Sequence, residues 1–169
     1  MMIMWLAIVG LLGLVTPGFG QGVPLGNTVS YKMNWAGTVR RQSAYFAPNG
    51  QLFHSMLNSS DEVVGTSTRI DGPTARNRFT LVEAGTARRM KCDAQSSARS
   101  VSGGVELLTQ TRCDLYSDIL FHSSVSIRVA GGGCQVSLAE WTSRNPEKSR
   151  TDSFECVVQS GNRLKAGRN

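Results

Sequence analysis

Along VELLTQTRCDL (105–115) one parity holds Val105, Leu107, Thr109, Thr111, Cys113 and Leu115, while Gln110, Arg112 and Asp114 fall on the other. A period of two is the mark of a strand with one face on a core and one in water, because successive side chains point to opposite sides. The alternation recurs in DSFECVV, where Phe154, Cys156 and Val158 share a face, and at Val125, Ile127 and Val129. It also groups Met90 with Cys92, and Val136 and Leu138 with Cys134. Apolar residues seldom recur every third or fourth position, so helix signals are weak.

Turn residues cut this pattern into pieces. QGVPLGNT (21–28) reads as a lead-in, and VSYKMNWAGTVRRQSAYF (29–46) as one bent or two short strands. Pro-Asn-Gly within APNGQ (47–51) is a strong turn signal, and LFHSML (52–57) is its returning strand. EVVGTSTRI (62–70) reads as a strand and DGPTARN (71–77) as a turn. RFTLVEA (78–84) and TARRMKCDA (86–94) make a second hairpin around Gly85, followed by a polar loop, QSSARSVSGG (95–104). DILFHSSVSIRVA (118–130) reads as a strand or a short helix at its start, with the Val125, Ile127, Val129 alternation favouring strand, and CQVSLAEW (134–141) reads as a strand beyond a Gly-Gly-Gly bend or bulge. TSRNPEKSRTD (142–152) reads as a charged, exposed loop and SFECVVQS (153–160) as the closing strand. The result is about eight to ten short strands, which predicts an all-β fold, either an antiparallel sandwich or an up-and-down barrel. The β domain is expected over 21–160, with GNRLKAGRN (161–169) as a basic, frayed tail.

Residues 1–20 differ from the rest. They carry no charged side chain, Ile3 to Val15 is a nearly unbroken apolar run, and Thr16, Pro17 and Gly18 end it. That is the form of a secretory signal peptide, although its n-region has no Lys or Arg. The run is short for a bilayer span, and no later stretch is apolar enough for one. A cut after Gly20 leaves 149 of the 169 residues, one ordinary domain, with Gln21 first and the full net charge of +6. The expected location is therefore secreted or periplasmic.

An even number of cysteines in an exported chain reads as disulfides. Cys92, Cys113, Cys134 and Cys156 are spaced 21, 21 and 22 residues apart, with no CxxC pair for zinc or redox work. Each shares its parity with apolar neighbours, which points all four into the core. Of the three possible pairings, Cys92–Cys113 with Cys134–Cys156 is favoured, since each would tie neighbouring antiparallel strands. Nothing calls for a metal or cofactor.

Charge adds the candidate chemistry. Arg41, Arg76, Arg78, Arg89, Lys91 and Arg112 are candidates for an anion-binding face, with a plain solvated surface as the competing reading. The partners such a face suits are an anionic glycan, a lipid headgroup or a protein. The few aromatics argue against base stacking and specific nucleic-acid binding. His54 and His122 sit in partly apolar strands and read as structural. Asp61–Glu62 and Asp114/Asp118 are the available carboxylate pairs for hydrolysis, and no catalytic signature accompanies them. Asn58 opens a sequon that matters only in a eukaryotic host.

Trp35 and Gly37 in NWAGTV resemble, in reversed order, the Gly-x-Trp opening of lipocalin-like and avidin-like barrels. The resemblance implies a ligand pocket at Trp35; the plainer reading is a core tryptophan beside a glycine bulge. Three functions follow. The first is a non-catalytic binding module with a basic face, the second a calycin-like carrier with an apolar pocket, the third a small hydrolase with unassigned residues.

Overall fold

The structure is a computed structural model, and it describes residues 25–35, 38–57, 63–82 and 88–164. The described residues form eleven strands and no helix: β1 (Asn27–Trp35), β2 (Thr38–Phe46), β3 (Gln51–Leu57), β4 (Val63–Arg69), β5 (Ala75–Val82), β6 (Arg89–Val101), β7 (Gly104–Tyr116), β8 (Ile119–Ala130), β9 (Gly133–Thr142), β10 (Asn145–Phe154) and β11 (Cys156–Ser160). They build two antiparallel sheets, one ordered β11-β1-β2-β3-β4 and the other β10-β9-β8-β7-β6-β5. Each strand pairs with the next in sequence except at two crossings, β4 to β5 and β10 to β11. The path is thus an up-and-down meander wound around a two-layer sandwich. The two architectures left open by the sequence meet here: the order is that of a barrel, and the ladder is split at the two crossings. At the first crossing Ile70 bridges Ala98 of β6, and Asp71 N–H donates to the Ala98 carbonyl at 2.9 Å.

One core lies between the sheets. The first sheet contributes Val29, Tyr31, Met33, Ala44, Phe46 and Leu52, and the second Met90, Leu107, Ile127, Val129, Val136 and Leu138. β6 alternates exposed and buried from Arg89 through Ala98, so it has an unbroken inner and outer face. Burying a side chain the size of leucine or phenylalanine contributes roughly 1.5–3 kcal/mol, and this row of large residues is what holds the layers together.

Tight turns set the register. Ala130 pairs with Gly133 across a loop of Gly131 and Gly132, whose φ angles are 58° and 80°. Positive φ at both central positions is what a type I′ hairpin requires, and glycine meets it without strain. Gly104 has a different reason: a Cβ there would stand 1.8 Å from the Val129 carbonyl oxygen.

The two disulfides are Cys92–Cys113 and Cys134–Cys156. Cys92 and Cys113 are direct partners in the β6–β7 ladder. Cys134 and Cys156 do not tie neighbouring strands as expected; β9 and β11 belong to different sheets, so this bond fastens the returning strand across the sandwich.

Several boundaries move. The segment 29–46 resolves into two strands, and the strands number eleven, with β6 and β7 of 13 residues each. The expected polar loop 95–104 is largely the second half of β6. Its inward residues are small, Ala94, Ser96 and Ala98, and Ser96 is satisfied by Thr109 at 3.0 Å, so burial there needs no large apolar side chain. The expected loop 142–152 is mostly β10, an edge strand rich in charge and containing Pro146. Edges tolerate and favour such residues because one side needs no ladder and must not recruit another chain. The expected tail begins anchored: Gly161 N–H donates to Gly26 O at 2.9 Å, and Arg163 N–H to Thr28 Oγ1 at 2.9 Å. Residues 1–24 and 165–169, with Asn58, Asp61 and Glu62, lie outside the described residues.

Candidate functional site

The outer face of the second sheet carries the site. Alternation along β5, β6 and β7 turns Arg76 and Arg78, Arg89, Lys91, Asp93, Gln95 and Arg99, and Gln110 and Arg112 to solvent. Register then lines them up. Arg78 pairs with Asp93, Asp93 with Arg112, Arg112 with His122 and His122 with Trp141, a single row across β5 to β9. The adjacent row is Arg76, Gln95, Gln110, Ser124 and Ala139. Along these two rows lies a cleft of about 830 Å³, lined among others by Arg76, Arg78, Gln95, Gln110, His122 and Trp141. That is within the size range of small-molecule sites.

Its electrostatics are mixed at the centre and positive around it. Asp93 accepts from Arg78 Nε at 2.9 Å and lies 3.9 Å from an Arg112 nitrogen. Arg76 forms no ion pair among the described residues. Further along the face, Arg99 Nε donates to Glu106 at 2.7 Å, and with help from Ser126 this holds the Glu106 carboxyl below its usual range. Across β5–β8 the outward residues include seven cations, Arg76, Arg78, Arg89, Lys91, Arg99, Arg112 and Arg128, against Asp93, Glu106 and Asp114. The balance of charge on this face is therefore positive.

His122 and Trp141 stand side by side, their rings 5.4 Å apart and inclined by 4°. Partial burial lowers the His122 pKa, and the Arg112 guanidinium lowers it further. The ring is therefore neutral at physiological pH, a hydrogen-bonding group rather than another cation.

Of the six expected anion-binding residues, five share this face and three, Arg76, Arg78 and Arg112, line the cleft. Arg41 does not join them; it pairs with Lys32 on the outer face of the other sheet. Trp35 ends β1, and its side chain is outside the described set. Asp118 sits in the β7–β8 turn, where it pairs with Arg144. The sequence reading missed Asp93, Gln95, Gln110, His122 and Trp141 as neighbours of the arginines. One signal was present: a direct Cys92–Cys113 rung places Asp93 opposite Arg112.

His54 is a core residue, as its sequence setting suggests. Tyr31 Oη–H donates to Gln42 Oε1 at 2.7 Å and lies 2.9 Å from His54 Nε2, which is therefore the protonated nitrogen. His54 Nδ1 faces Thr109 Oγ1 at 3.4 Å, and Thr109 meets Ser96. This chain of polar groups joins the two sheets through the core. Burial pushes the His54 pKa down to about 4 and raises that of Tyr31.

Comparison with protein-family models, curated proteins and solved structures finds no match to this chain. Two disulfides mark it as a protein of an oxidising compartment. Among the described residues no helix is long and apolar enough to cross a membrane.

Proposed function

We propose that the chain is an exported, non-catalytic binding protein, directed by its first twenty residues to the periplasm or the outside, that captures an anionic ligand on the outer face of the second sheet. The observation that carries this reading is the convergence of Arg76, Arg78 and Arg112 on one cleft beside His122 and Trp141. Arginine suits the task because its planar fork meets carboxylate, sulfate or phosphate through two hydrogen bonds. The interior supports this over a carrier role: the space between the sheets is occupied by Phe46, Met33, Leu52, Met90 and Leu107, each fully buried.

The test is binding to immobilised dextran sulfate across a salt series. Affinity should fall steeply with salt, and replacing Arg76, Arg78 and Arg112 by Gln should flatten the dependence by about one unit of log–log slope per charge removed. Binding that ignores salt and these substitutions would overturn the reading.

A further inference from the structure

We infer that the cleft on the second sheet takes an acidic saccharide, a chain of sugar rings bearing carboxylate or sulfate groups. The inference rests on the basic-face reading and adds the chemistry of the ligand. A compact phosphate or a lipid headgroup concentrates its charge at one point and asks for cations that converge on it. Here the backbones of Arg78 and Arg112 stand two strands apart, about 9–10 Å at the usual strand spacing, and both guanidinium groups turn to the Asp93 carboxylate between them, which already holds the place a compact anion would take. A carboxylate at the centre repels a concentrated anion. It accepts hydrogen bonds from hydroxyl groups.

The remaining lining fits a sugar in the same way. Gln95 and Gln110, neighbours in the second row, are neutral amides that each donate and accept, as hydroxyls require. Trp141 lines the cleft and offers an apolar indole suited to the C–H face of a pyranose ring, and the next outward position on its strand is the small Ala139, paired with Ser124 of β8. The neutral His122 ring adds another hydrogen-bonding edge next to the indole. Arg76 and Arg78 at one end and Arg112 nearer the middle would meet acid groups spaced along the chain. The two rows run across five strands, about 19 Å, so the surface is an elongated track for several rings rather than a point site.

The experiment uses the exported chain and three oligosaccharide probes, galacturonate, alginate and sulfated dextran, followed by calorimetry. Phosphatidylglycerol vesicles, inorganic phosphate and a single-stranded oligonucleotide are the comparison ligands. At least one acidic oligosaccharide should bind; Trp141→Ala should weaken it tenfold or more with the salt dependence intact, while the Arg78→Gln/Arg112→Gln variant should weaken it and reduce that dependence. Circular dichroism and two intact disulfides would show that each variant is folded, and Gln110→Ala, a milder change, should lower affinity several-fold. If vesicles, phosphate or oligonucleotide bind through the arginines and the oligosaccharides do not, the saccharide inference fails and the basic-face reading stands. If the oligosaccharides bind but Trp141→Ala and Gln110→Ala change nothing, the saccharide inference fails as well. If no anion of any class binds, both fail.

Discussion

Lowering the pH should destabilise this protein from the inside, through His54. The ring is fully enclosed, its polar neighbours are Tyr31, Gln42 and Thr109, and no carboxylate among the described residues bonds to it. Desolvation carries its pKa from 6.5 to about 4. The folded state therefore refuses a proton that the unfolded chain accepts, and between those values the unfolded state holds more protons. Stability is complete above pH 6.5 and falls as the pH drops toward 4. A gap of about 2.5 pH units, at about 1.4 kcal/mol each, amounts to about 3–4 kcal/mol. That is a large share of the roughly 5–15 kcal/mol that holds a domain folded. His122 adds a smaller loss of the same sign in the same range. Asp71 and Glu106 have lowered pKa values, so the stability they contribute is present above the ordinary carboxylate range and is lost below it, at lower pH. Urea unfolding at a series of pH values should show the fall, and His54→Met should remove most of it while lowering stability at neutral pH. An equal slope in parent and variant would refute the reasoning.

Other consequences can be checked independently. The disulfides close loops of similar length and should each contribute about 3 kcal/mol in the chain-entropy picture, but their local effects should differ. Replacing Cys134 and Cys156 by Ala should raise amide exchange along β11 and its partner β1, whereas replacing Cys92 and Cys113 by Ala should leave those strands protected. Gln42 Nε2 is a buried donor with no hydrogen-bond partner among the described residues. Gln42→Met removes that idle donor but also the acceptor of Tyr31 Oη–H, and Tyr31→Phe strands the His54 Nε2–H, so each should cost about 1–3 kcal/mol in thermal or urea unfolding. Gly104→Ala should prevent the native β7–β8 register, seen as loss of soluble, oxidised protein.

The sequence made the strands legible wherever large apolar residues alternate, as from Val105 to Cys113. It concealed them where the inward residues are small or polar. Ala94, Ser96 and Ala98 line the core because β6 and β7 bury a Ser–Thr hydrogen bond there, and no hydropathy pattern reports such a pair. β10 was hidden for the opposite reason: an edge strand is built of charges. The arginines were visible as candidates, and alternation assigned each to an outward face. What alternation cannot give is which strands lie side by side. Trp141 lies 29 residues from Arg112 in the chain and two strands from it in the sheet, and only the register of β7, β8 and β9 makes them neighbours.

Ligand capture on the outer face of the second sheet is the proposal most directly open to measurement. The direct measurement is an amide chemical-shift map of the disulfide-bonded, isotope-labelled chain titrated with sulfated dextran oligomers. The account predicts shifts concentrated on Arg76, Arg78, Gln95, Gln110, Arg112, His122 and the Trp141 indole, fading as salt is raised. Shifts gathered instead on the first sheet, around Arg41 or the stacked Tyr45–Phe53 pair, or no shifts at any salt, would contradict it.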